Sequence, residues 1–146
     1  MLGGVHEPRA GHAPEFFAWP PLAAVLLFTL NNFWLKSCSP GVLSGKLSDF
    51  AACFFLPLFI SALLARATPL RLAVRVAVGA AVTALLFGLV KTSPAASSLL
   101  DALCGAFGSL VSLHSPNNCV DPSDLVALPM VLLACLWARA VDRRMA

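Results

Sequence analysis

The stretch Leu35–Ile60, LKSCSPGVLSGKLSDFAACFFLPLFI, joins two apolar runs. Lys36 closes the first run, a Pro/Gly/Ser turn follows, and Ser48-Asp49 opens the second. A looser copy comes later, where Lys91-Thr92-Ser93-Pro94 closes one run and Ser123-Asp124 opens another. Both read as hairpins between membrane-crossing helices, because a charged residue and a turn are tolerated where an apolar helix leaves the hydrocarbon.

Composition agrees. Hydrophobic residues make up 59% of the 146 and charged residues 12%, against roughly 45–50% and about 25% in soluble domains. A water-soluble globule of this size could not hide that much apolar surface. The formal net charge of +3 is small and scattered, so nucleic acid is not an expected partner. The lipid bilayer is.

The apolar runs predict four spans, at about 20–36, 48–65, 72–91 and 123–140. Each approaches the ~20 residues that cross ~30 Å of hydrocarbon. Arg66, Arg71 and Arg75 lie in or beside the loop between the second and third spans, and the C-terminus carries Arg139, Arg143 and Arg144. The positive-inside rule puts both groups in the cytoplasm, so both termini are cytoplasmic and the chain is a multi-pass protein of the cell (inner) membrane. Lys36, Lys46, Lys91, Asp49, Asp101, Asp121 and Asp124 are then on the outer side. Residues 1–18 are expected to be a disordered cytoplasmic tail, and 19–146 a single four-helix transmembrane domain. The tail is not a secretory signal: Arg9 is its one basic side chain, and Glu7 and Glu15 offset it.

In the second outer loop Leu99, Leu103, Phe107, Leu110 and Leu113 recur at helical spacing opposite Ser97, Asp101, Gly105, Gly108 and Ser112. That period predicts an amphipathic helix on the outer face. The third span carries rows of small residues, Ala73/Ala77/Ala81 and Ala80/Ala84/Gly88, which let helices approach closely in lipid and predict a central position. Pro57 and Pro129 predict kinks in the second and fourth spans. The expected fold is therefore all-α, a polytopic four-helix bundle plus one amphipathic helix.

Candidate ligand-binding or gating residues gather near the outer rim: Asn31, Asn32, Lys36, Asp49, Lys91 and Asp124. The simpler account of the charges is helix-end complementarity, with Lys36 and Lys91 at C-termini, Asp49 and Asp124 at N-termini, and Ser48 and Ser123 as N-caps. The functional account is a ring of Lys–Asp pairs forming a gate or a ligand pocket. Two adjacent amides cannot share one helix face, so one of Asn31 and Asn32 should point into the bundle.

Cys104 and Cys119 are a possible disulfide on the outer side, with Cys38 able to replace either partner; Cys53 and Cys135 lie within spans as packing thiols. His114, Cys119, Asp121 and Asp124 match no standard metal spacing, no catalytic constellation is recognisable, and no metal or cofactor is expected.

The segment Ser44–Ala51, SGKLSDFA, with Asp121–Leu125, DPSDL, resembles small uncharacterised multi-span bacterial membrane proteins that carry a GKLSDFA-like loop. That resemblance implies a membrane fold and no activity.

Three functions fit these residues. The first is a non-enzymatic bundle that binds a membrane-protein partner, a second copy, a lipid or a small molecule at its outer face. The second is an ion or small-solute conduit with a Lys/Asp-lined mouth. The third is a membrane-surface enzyme using His114, Asp121 and Asp124 on a lipid-linked substrate.

Overall fold

A computed structural model describes residues 13–35, 42–111 and 120–145. Among them every element is helical. Helix α1 (Trp19–Leu30) continues as a π-helical turn, Asn31–Leu35. Helix α2 spans Val42–Ala67, α3 Leu72–Thr92 and α4 Pro94–Val111. A 3₁₀ turn, Pro122–Ala127, leads into α5, Pro129–Met145. Three segments are long and apolar enough to cross a membrane: Gly45–Ala67, Leu72–Thr92 and Pro122–Met145. α1 has only 12 residues of α-helix before the π turn, which is why it falls short of that length.

α2 occupies the centre, touching α1, α3 and α5. Its Cys53, Phe54, Leu58, Ser61, Ala62 and Ala65 are all buried. The sequence placed α3 there, on the strength of its alanines. Instead Ala73, Ala77 and Ala81 face outward, and α3 packs through Val76, Gly79 and Thr83. The deciding residue is Gly79. A Cβ there would lie far inside van der Waals contact with the Pro57 carbonyl oxygen and 3.1 Å from its carbon. Pro57 lies within α2 without ending it, so the closest approach of the two helices is a glycine against a proline carbonyl. Because the obstructing atoms are backbone, they cannot swing aside. Gly79→Ala should cost about 1–3 kcal/mol by overpacking, read as a lowered midpoint in denaturing-detergent titration, whereas Gly88→Ala, with open space around it, should change it little.

The other proline, Pro129, lies within the apolar segment Pro122–Met145, at the point where the helix type changes. It opens α5, where its missing N–H costs nothing, and the preceding residues run as a 3₁₀ turn held by bonds such as Leu128 N–H to Leu125 O at 3.0 Å.

The helices alternate in direction, which sorts the charges. One end of the bundle, here the lysine end, holds Lys46, Asp49, Lys91 and Asp124. The arginine end holds Arg66, Arg71, Arg75, Arg139, Arg143 and Arg144. α1 runs from the second to the first, alongside α2. The outward faces are apolar, with Leu26, Leu30 and Trp34 on α1, Leu85 and Leu89 on α3, and Leu132 and Leu136 on α5 all exposed.

Residues 13–18 are not the tail the sequence led us to expect. They form a turn with Ala13, Glu15 and Phe16 buried against the arginine end. Phe16 packs at a tilt against Phe59, ring centroids 5.4 Å apart, and the Trp137 indole N–H donates to the Glu15 carbonyl oxygen at 3.0 Å. Aromatic packing on both sides of the acid is what holds it in. The rest of the expected tail, 1–12, lies outside the described residues.

Candidate functional site

At the lysine end, three segments far apart in sequence meet through charge. α2 begins at Val42, so Ser48 and Asp49 are well inside it and not at its cap. Lys46 and Asp49, three residues apart, therefore share a helix face. Lys91 sits in the last turn of α3, where a cation complements the partial negative charge of the helix C-terminus. Asp124 lies in the 3₁₀ turn. The cap of that turn is Asp121, whose carboxylate accepts the Ser123 N–H at 2.9 Å, and not Ser123 itself.

Lys91 Nζ is the hub. It lies 2.7 Å from Asp124 Oδ2 and 2.8 Å from Asp49 Oδ2. Lys46 Nζ reaches Asp124 Oδ1 at 3.1 Å and the Ser123 hydroxyl at 2.9 Å. Two cations and two anions thus close a neutral network that ties α2, α3 and the start of the last span together. Exposure grades outward: the side chains of Lys91 and Asp124 are each 10% exposed, Asp49 17% and Lys46 27%. The Lys91 ammonium also lies 5.6 Å from the Phe87 ring centroid, within cation–π range.

The amide pair resolves as geometry requires. Asn31 is buried and its Nδ2 donates to the Ser48 hydroxyl, joining the π turn to α2 beside Asp49. Asn32 turns back on its own helix, donating to the Phe28 carbonyl at 2.9 Å. Of the six residues singled out from sequence, Asp49, Lys91 and Asp124 share one cluster, Asn31 is adjacent to it, Asn32 is elsewhere, and Lys36 lies outside the described residues. The Cys104–Cys119 pairing and His114 lie outside the described side chains as well. Cys53 and Cys135 are free thiols, and among the described residues no group of His, Cys, Asp or Glu is placed to hold a metal.

A second charged site, at the arginine end, was not foreseen. Glu15 is fully buried; its Oε1 accepts from the Ser61 hydroxyl at 2.9 Å and lies 3.4 Å from Arg75 Nη2. Arg75 belongs to α3 rather than to the preceding loop, and is 8% exposed. Glu15 Oε2 and Arg75 Nε have no hydrogen-bond partner among the described residues. Between the two charged ends, on the same packing face of α3, the Thr83 hydroxyl is also buried without one. Such orphaned polar atoms are few in folded proteins.

No known protein family, curated protein or solved structure matches this chain.

Proposed function

We propose that the chain is a non-enzymatic four-span membrane protein, both termini cytoplasmic, that binds a membrane partner, a lipid or a small molecule at its lysine end, the extracytoplasmic one. The fourth crossing is α1 with its π turn. It accompanies α2 from the level of Ser61, beside Glu15, to that of Ser48, beside Asn31, which is about 20 Å at 1.5 Å per residue. The π turn supports a role for that region, since such turns are rare in α-helices and concentrate at functional sites. α4 would lie across the outer face, with Leu99 and Leu103 exposed to the interface and Ser97 turned inward.

The observation that carries the reading is the neutral network itself. Its deep members are each held by an opposite charge, while Lys46 is partly open to the outside. A ligand bearing an anionic group can take Lys46 from Asp124 without leaving Asp124 unpaired, because Lys91 stays on its other oxygen. Extraction of the full chain in mild detergent, followed by native mass spectrometry, should recover a stoichiometric companion that Lys46→Ala releases. A bare, monomeric chain in repeated preparations would sink the proposal.

The conduit reading keeps one observation in its favour, the orphaned Thr83 hydroxyl between two charged ends. Cysteines placed at Asn31 and Thr83 separate the two. Protection of both from a membrane-impermeant maleimide is expected of a closed binding protein, and labelling of both of a water-filled path.

A further inference from the structure

α3 and α5 do not close against each other at the arginine end. A cleft of about 90 Å³ runs between them, floored by Ala73, Val76 and Ala77 of α3 and Ala138 of α5. This is where the outward alanine row of α3 leads. The small side chains leave a shallow slot whose surface is mostly apolar.

The two polar residues of the lining are Arg139 and Asp142, both on α5 and both exposed. Three residues apart, they share a helix face, yet no ion pair joins either one to any described residue. Glu15, Asp49 and Asp124, by contrast, are each ion-paired. Arg139 lies nearer the apolar floor, and Asp142 stands about 4.5 Å further toward water along the helix. A cation deeper and an anion shallower, above an apolar slot, is the reverse image of an aminophospholipid: acyl chain, then phosphate, then ammonium. Arginine is suited to phosphate by its fork of N–H donors.

We infer that this cleft seats one molecule of a phosphoethanolamine-type lipid, its acyl chain on Ala73, Ala77 and Ala138, its phosphate on Arg139 and its ammonium on Asp142. A headgroup that lacks the ammonium satisfies Arg139 and leaves Asp142 without a counter-charge, so the pair selects as well as binds. The surrounding Arg66, Arg71, Arg143 and Arg144 attract anionic lipid to this end without discrimination, which makes preference for a zwitterionic headgroup a demanding test.

The full chain in mild detergent, titrated with phosphatidylethanolamine or with phosphatidylglycerol and read by native mass spectrometry, should retain the first several-fold better. Asp142→Asn should abolish that preference while leaving binding, and Arg139→Gln should weaken retention of both lipids several-fold. Both side chains are exposed, so neither variant threatens the fold, and the ratio of the two lipids is its own control. Equal retention by the unsubstituted chain, a preference that survives Asp142→Asn, or a dimer that excludes lipid from the cleft would each overturn the assignment. The companion proposed for the lysine end responds to Lys46→Ala and not to Arg139→Gln, so the two sites fail or stand separately.

Discussion

Lys91→Ala is expected to destabilise the chain by about 3–5 kcal/mol, the cost of breaking a buried ion pair from one side. The lysine lies within 2.8 Å of two carboxylates. Its loss leaves Asp49 and Asp124 facing each other, with Lys46 able to answer only one of them. If Lys91 merely complemented the end of α3, the loss would be about 0.3–1 kcal/mol, so the measurement decides between the two accounts. Denaturing-detergent titration of the folded chain is the assay. The triple variant Lys91→Met, Asp49→Asn, Asp124→Asn should recover most of the deficit, because replacing the three more buried members together, with the more exposed Lys46 left to water, is far cheaper than orphaning one. A Lys91→Ala loss under about 1 kcal/mol would show that the network does not hold the lysine end together.

Glu15→Ala carries an expected loss of similar size, about 3–5 kcal/mol. It abandons Arg75 at 8% exposure, with Nε already lacking a partner, and it removes the acceptor of the Ser61 hydroxyl. The double variant Glu15→Gln, Arg75→Met should restore much of it. A second readout is local: residues 13–18 should become cleavable by protease in Glu15→Ala while α2 and α3 stay protected. Continued protection of the turn together with unchanged stability would show that the Phe16 and Trp137 contacts alone suffice to hold it.

Spans at 72–91 and near the C-terminus were legible because their apolar runs are long and their ends are punctuated. α3 ends one residue beyond the expected boundary. α2 starts six residues before the expected boundary. Ser48-Asp49 resembles a cap so well that the expected start falls there, although apolar Val42-Leu43 already precede it. Lys46, by sequence a loop charge, is therefore one turn from Asp49 on the same helix. The relevant signal was present, a basic and an acidic residue three apart, ahead of an apolar run. Glu15 was hidden differently. Judged by the polar tail it follows, it seemed solvated, but Phe16, Phe17 and Trp19 after it are poor company for an exposed acid. What no periodicity could show is which face of α3 is packed: two rows of small residues stand out, yet the packed face is neither of them but the one whose Gly79 meets a carbonyl on another helix, that of Pro57.

The order in which the four network residues are synthesised has a consequence for biogenesis. Asp49 is made with α2, before Lys91 has been translated, and Asp124 follows Lys91 by 33 residues. During that interval the partly made protein carries one more ammonium than carboxylate at its lysine end. The arriving carboxylate completes the set and draws the last helix into place. Truncated or stalled chains ending before Asp124 should therefore be recognisable to quality-control proteases by a charge defect rather than by exposed grease.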